Sequence, residues 1–434
     1  MVSMRAVCNC ACARRMSQRI SSPVSRIVEC CLKRYLSMAK HFSSTPKKGL
    51  KRLVCKPVHW KKSAVMKRPA QIPYTEGPKR NRHIKELGRS KWACDVFDFK
   101  DTLDNVVQLL LRTNICVDWS YLKCPFCCRG SCGKAKEFSG GHRTKFKKFW
   151  RCSSKKCKRR IFATTFHPVF NEGRQSTPLS RQAACLFNAV LTVQQNHSMV
   201  QLSLNHKTVE SIYRKWRKTC AKDTAQQQEN IELGNGITWT QVEADEVTLA
   251  KRLAGNPDEF KPLEWDSYLG LMVRGRPETL VLIYLGARRT RIRSPGPGPL
   301  TRELWIPIAA KWLQGKKVIL LTDSARAYTA EIPGVRNAPV VHKLKKVGGR
   351  WIKPQYVVQE EVKLDDGSSM LIKKGTQYID GFWKHLKKQL KNSTKHDNKT
   401  VDEHLRCAQW RMWHQGQDMW LEAGKLIQRQ HYKA

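Results

Sequence analysis

ITWTQVEADEV, residues 237–247, is the stretch on which the fold turns. It is a short run of β-like texture that closes on three acids, Glu243, Asp245 and Glu246. Alternation along a strand puts Glu243 and Asp245 on one face and Glu246 on the other. In a strongly basic chain, acids where an apolar strand stops stand out. The pattern repeats in KKVILLTDSARAY, residues 316–328, where Asp323 follows a buried run. A third acid, Asp380, opens the basic amphipathic helix expected over GTQYIDGFWKHLKKQL, residues 375–390. Helix capping is the plainer explanation for Asp323 and Asp380.

Two further β-like runs, SYLGLMV (267–273) and TLVLIYL (279–285), lie between the first and second acids. A breaker loop, SPGPGP (294–299), and a helical stretch, LTRELWIPIAAKWL (300–313), follow. The order β, β, β, α, β, α, β, α, with acids on the first strand, the fourth strand and a late helix, is the RNase H-like arrangement. An α/β fold with a mixed-sheet catalytic core is therefore expected over 237–392. Three carboxylates so placed suit a pair of Mg²⁺ ions, which prefer oxygen ligands and retain water. Within this core, residues 348–375 alternate around Asp366–Gly367 and read as an inserted β-hairpin. Its acids Glu360, Glu361, Asp365 and Asp366 are expected to be solvated. In the late helix Lys384, Lys387, Lys388 and Lys391 share one face, while Phe382, Leu386 and Leu390 share another with Trp383 beside them. The lysine face is a candidate DNA contact; a plain solvated face is the alternative.

Upstream, a Gln-rich stretch at 225–236 reads as a linker to a small helical domain, 178–224. Leu179, Ala183, Leu186, Phe187, Val190 and Leu191 recur at helical spacing. A polar break, QQNHS (194–198), precedes a short element around Val200, Leu202 and Leu204. After Asn205, Val209, Ile212, Tyr213 and Trp216 form an apolar stripe, with Lys207, Ser211, Arg214, Lys215 and Lys218 off it. This is the texture of a helix-turn-helix, with Lys207, Arg214 and Lys215 as candidate DNA contacts.

Residues 120–168 carry two cysteine pairs, Cys124–Cys127 in YLKCPFC and Cys152–Cys157 in WRCSSKKC. Four thiolates on two knuckles make a closed tetrahedral zinc site, structural because no position is left for water. Cys128 and Cys132 are possible substitutes, and His142 is nearby. Lys145, Lys147, Lys148, Lys155, Lys156, Lys158, Arg159 and Arg160 make this zinc ribbon basic.

The chain has 434 residues, with 81 Lys and Arg against 35 Asp and Glu, a formal charge of +46. Such an excess points to a polyanionic partner, with nucleic acid ahead of a membrane surface. No apolar run approaches the roughly 18 residues of a spanning helix. Seventeen scattered cysteines favour reduced thiols and metal ligands. Residues 1–110 read as a basic, largely unstructured extension, with a short helix near Val106–Leu111. Its first 75 residues contain one acid, Glu29, and suit either a DNA-holding arm or an organellar transit peptide. Residues 393–434 read as a helical tail.

The succession of zinc ribbon, helix-turn-helix, VEADE, LLTDSARAY and TQYIDGFWKHLKK resembles the Merlin-like transposases and their bacterial insertion-sequence relatives. Trp383 and LRCAQWRMWH (405–414) add to the resemblance, which covers about residues 120–420. It implies Asp245, Asp323 and Asp380 as catalytic ligands of Mg²⁺ or Mn²⁺, acting on double-stranded DNA. It implies cleavage at terminal inverted repeats and strand transfer into target DNA, by a homo-oligomer in the nucleus. At the third position the family usually carries Glu; Asp380 is one methylene shorter. A transposase-derived DNA-binding protein without chemistry, and a nuclease that does not join strands, are the competing functions.

Overall fold

Long apolar strands need cover on both faces, and the architecture supplies it with helices and a hairpin. The computed structural model describes residues 94–137, 148–170, 177–254, 260–341, 344–354, 356–365, 367–390 and 398–431. All fall within one unit, Arg68–Ala434. The arm or transit segment, and the residues Lys145, Lys147, His142, Asp366 and Lys391, lie outside the described residues.

From Cys94 the chain is folded, although composition placed this segment in the unstructured extension. A 3₁₀ turn, Val96–Lys100, leads to α1, Leu103–Arg112, which buries Val106, Val107, Leu109 and Leu110. The short helix expected near Val106–Leu111 lies within α1, which starts earlier, at Leu103. Strands β1 (Lys136–Glu137), β2 (Lys148–Arg151) and β3 (Arg160–Ile161) then form a small antiparallel sheet carrying the cysteines.

Three helices follow: α2 (Leu179–Val190), α3 (Gln195–Leu202) and α4 (His206–Gln228). The polar break expected at QQNHS is in fact mostly helix. Its inward residue is Ser198, fully buried, which bonds Asn188 Nδ2 at 3.0 Å and the Tyr213 hydroxyl at 2.7 Å. A polar contact therefore replaces the apolar one that periodicity looks for. Ser203, at φ 50°, turns the chain, and Asn205 caps α4 by accepting the Thr208 N–H at 2.8 Å. Helix α4 also runs further than expected, taking Ala225–Gln228 from the linker. Gln228 Oε1 accepts from the Leu282 N–H at 2.8 Å and from Arg406 and Gln409 at 2.7 Å.

The main sheet is mixed and five-stranded. Strands β4 (Thr240–Leu253), β5 (Leu263–Val273) and β6 (Val281–Thr290) are antiparallel. After α5 (Arg302–Trp312), β7 (Val318–Asp323) and β8 (Val335–Val340) add parallel strands on the other side of β4. The order β6-β5-β4-β7-β8 is compatible with an RNase H-like core. Between β7 and β8 the expected helix is only a 3₁₀ turn, Arg326–Thr329.

The inserted region forms two hairpins. Strands β9 (Lys345–Val347) and β10 (Arg350–Ile352) turn on Gly348 and Gly349, both at positive φ. Strands β11 (Val358–Lys363) and β12 (Ser369–Lys374) follow. Three of the insert's acids are paired or bonded: Glu360 with Lys374, Asp365 with Arg336, and Glu361 with the Ser369 hydroxyl. The chain ends in α6 (Gln377–Leu390), α7 (Asn398–Trp413) and α8 (Met419–His431).

One sheet face packs Val242, Ala244 and Leu320 against Trp305, Ala309 and Trp312 of α5. The other packs Val247, Tyr268 and Met272 against α6 and α7, and Ile319 and Leu321 against the β11–β12 hairpin. The expected C-terminal tail is core. Trp420, Leu426 and Ile427 of α8 are buried with α1, α2, α4 and the ribbon. Arg429 makes a two-pronged pair with the buried Asp223 at 3.0 and 2.7 Å. Among the described residues no helix is long and apolar enough to cross a membrane.

Candidate functional site

The acids expected at strand ends lie around the junction of β4, β7 and α6, near enough for Asp380 and Asp323 to act on Asp245 by charge, but they do not form a group whose ligand atoms all lie within 4.8 Å of one another. Parallel pairing of β4 with β7 runs from Thr240↔Val318 to Glu243↔Leu321. Two residues further along each strand stand Asp245 and Asp323, level with one another on the face shared by Glu243 and Leu321. Asp323 is the last residue of β7, but Asp245 is not at a strand end as expected. β4 continues to Leu253 because β5 still pairs with it; only the pairing with β7 stops here. Asp380 lies in the first turn of α6.

Helix α6 is seated on this face by two devices. Gly270 is the β5 partner of Asp245. A Cβ at Gly270 would lie 2.6 Å from Ile379 Cδ1 and 2.8 Å from Trp383 Cζ2, so the bare backbone is what admits the helix. The second device is Glu243, fully buried, whose carboxylate accepts the N–H groups of Tyr378 at 2.9 Å and Ile379 at 3.1 Å. These are donors of the first helical turn, where a carboxylate also meets the positive end of the helix dipole. Arg274, itself 3% exposed, stands 3.4 Å from Glu243 and donates to Gln377 Oε1 at 2.8 Å and to the Lys373 carbonyl. Burial pushes Glu243 up to about 7 against the pull of Arg274 and the two amides.

The remaining acids crowd one another. Burial raises Asp245 to about 8, and the charges of Asp380, Glu246 and Asp323 add to the rise. Glu246, on the opposite face, is raised to about 6 by burial and Asp323, with the Tyr328 hydroxyl donating to it in opposition. One Asp323 oxygen accepts the Ala325 N–H at 2.9 Å and so also holds the turn after β7. Asp380, exposed, accepts the Thr376 hydroxyl at 3.0 Å. Of the two acids flanking Asp245, Glu243 is committed to the helix terminus. Gly270, Arg274, Thr376 and Tyr328 were not singled out by sequence. Only Gly270, a glycine inside an apolar strand, left a signal there.

The four expected thiols converge. Cys124, Cys127, Cys152 and Cys157 bring their sulfurs within 4.8 Å of one another. Among the described residues they are the one such group of three or more ligand side chains. Cys124 Sγ lies 3.8 Å from Cys157 Sγ, and Cys127 Sγ 3.6 Å from Cys152 Sγ. Metal–sulfur bonds of about 2.3 Å in a tetrahedron set the sulfurs about 3.8 Å apart, so the thiols fit a metal such as zinc. Each knuckle ends on a left-handed residue, Cys128 at φ 54° and Lys158 at φ 47°. The amides of Gly130 and Arg129 lower Cys127 to about 6, favouring its thiolate. Gly130 is obligatory in this arrangement, since a Cβ there would lie 2.6 Å from Cys152 Sγ. Cys128 is exposed and Cys132 buried; neither joins the group.

The basic candidates lie on helix surfaces. Lys207 and Arg214 of α4 are exposed and Lys215 is half-buried, its ammonium pKa lowered by burial and by Arg214. Lys384, Lys387 and Lys388 are exposed on α6, opposite the buried Phe382, Trp383 and Leu386.

No family model and no curated protein matches the chain. A chain from the crystal structure of a pre-cleavage Mos1 transpososome aligns at 11% identity. The alignment covers 61% of this chain and 83% of that one, with a TM-score of 0.14, a likeness too slight to bear on function.

Proposed function

We propose that the chain is a DNA transposase of the Merlin-like kind, cutting DNA at transposon ends and joining it to a target. The observation that carries the reading is the placement of Asp245 and Asp323 on the adjacent strands β4 and β7, with Asp380 in the first turn of the helix seated against Gly270, the partner of Asp245. Oxygen donors so placed suit Mg²⁺ or Mn²⁺. Bound there, the ions would stabilise the attacking and leaving oxygens of phosphoryl transfer. Asp245, Asp323 and Asp380 are the ligands in this reading, and Glu243, Arg274 and Gly270 hold α6 so that Asp380 faces the other two. The thiol site is structural zinc. Lys207, Arg214, Lys215, Lys384, Lys387 and Lys388 bind the phosphates of duplex DNA, in a homo-oligomer within the nucleus.

A second reading, DNA binding without chemistry, is favoured by Asp380 alone, which is exposed and shorter than the family's Glu. One experiment separates them: purified protein is incubated with Mg²⁺ and DNA bearing the inverted repeats that flank its own gene. Strand cleavage that disappears in Asp323→Asn, with DNA affinity retained or slightly raised, supports the transposase. Binding without cleavage by the unaltered protein supports the second reading, and cleavage by Asp323→Asn at the unaltered rate removes Asp323 from the metal site.

A further inference from the structure

Two phenylalanines stand on the ribbon surface where packing gives them no reason to be. Phe166 is 59% exposed, and its φ of 57° lies in the left-handed region that bulky side chains rarely adopt. Its neighbours Thr164, Thr165 and His167 are all buried. His167 Nδ1 accepts the N–H groups of Val169 and Phe170, its Nε2 lies 2.9 Å from the Ile115 carbonyl, and His431 Nε2 bonds the Thr165 carbonyl. The turn is pinned on both sides and throws Phe166 outward. Phe126 sits inside the Cys124–Cys127 knuckle, 36% exposed, its ring centroid 5.1 Å from that of Phe166. The Arg159 guanidinium, just past the other knuckle, lies 4.8 Å over the Phe126 ring. Backbone strain and apolar exposure both act against stability here, as they do where a surface is kept for a ligand.

We propose that Phe126, Phe166 and Arg159 form a stacking platform for unpaired bases, so that the ribbon holds single-stranded DNA. Every base has a π face, and an aromatic pair with a guanidinium above it receives such faces without regard to sequence. Lys155, Lys156 and Lys158, exposed on the adjoining knuckle, supply the charge that follows a phosphate backbone. Paired bases keep their faces within the duplex, so the platform discriminates strand state. This inference rests on the DNA-binding reading but not on the carboxylate chemistry.

The test uses the full chain, a fluorescein-labelled oligothymidylate, and a mixed-sequence duplex of equal length at one salt concentration. Phe126→Ala with Phe166→Ala should weaken oligothymidylate binding about tenfold or more while leaving duplex affinity and zinc content unchanged. Phe126→Tyr with Phe166→Tyr keeps the π faces and should bind as the unaltered protein does. Phe126→Leu with Phe166→Leu keeps apolar bulk without them and should fail as the alanine pair does. Should the alanine pair misfold, the tyrosine–leucine contrast decides. Leucine variants that bind normally, or equal losses on single strand and duplex, overturn the platform. So does an unaltered protein that binds duplex but not oligothymidylate. A protein that binds neither DNA overturns the DNA-binding reading and the platform with it.

Discussion

Gly270 faces Asp245 across the β4–β5 ladder, and the missing side chain at one is what brings a helix to the other. Ile379 and Trp383 occupy the space that a Cβ would take, and Asp380 follows Ile379 directly. Two acids far apart in sequence thus owe their proximity to a residue with no functional group.

Gly270→Ala should therefore act twice. Overpacking should cost roughly 1–3 kcal/mol in urea unfolding. Lifting α6 from the sheet should also reduce strand cleavage by at least about a hundredfold, since small misplacements of reacting groups are that costly. Unchanged stability would mean that the helix is not seated there.

Glu243 and Arg274 make a buried pair whose halves cannot be lost singly. Glu243→Ala leaves the buried Arg274 charge without its counter-charge and two helix amides without their acceptor, and should destabilise by roughly 3–5 kcal/mol. Glu243→Gln retains an amide oxygen for the helix N–H groups and should cost clearly less. Equal losses in the two variants, measured by denaturant unfolding, would assign the effect to charge alone.

The thiol site should supply folding energy to the ribbon. Cys152→Ser should lose its zinc, about one equivalent per chain, and expose the ribbon to protease. Full zinc content in that variant, read by atomic absorption, would show that the ligands are chosen wrongly.

His167 and His431 meet edge to face at 5.4 Å, and burial depresses both below the usual imidazole range. The unfolded chain takes up protons near pH 6.5 while the folded one resists, so this stability is present above that pH and lost on acidification below it. The urea midpoint, measured with zinc saturating, should fall between about pH 7 and pH 5.5. His431→Gln can still donate to the Thr165 carbonyl and should flatten the fall. A fall as steep in the variant would place the titration elsewhere.

The lysine face of α6 is the last element to be tested. Changing Lys384 and Lys388 together to Gln should weaken binding to DNA of any sequence and flatten its salt dependence by up to about two units. An unchanged slope, with folding and zinc content intact, returns the helix to a solvated face.

The parts of this architecture legible in sequence are those written locally. Apolar β-branched runs marked the strands around Asp245 and Asp323, and paired cysteines marked the knuckles, because spacing alone encodes them. Alternation separated Glu243 from Glu246 by face but not by role, since the partners of Glu243, the amides of Tyr378 and Ile379, lie far along the chain. Helix α3 was hidden because its inward residue is Ser198, and the role of Gln228 because a side-chain amide carries no periodicity.

Helix α8 closes the module that α1 opens. Gly424 lies so close to the Thr113 carbonyl that a Cβ would stand 2.0 Å from it, and the Trp420 indole bonds the Thr113 hydroxyl at 3.2 Å. During synthesis the ribbon and the first helices must wait for Met419–His431 to leave the ribosome before their shared core is complete. A chain interrupted upstream of Met419 thus forfeits more than its last helix. It keeps every cysteine and basic side chain of the ribbon yet lacks the wedge that holds them in place.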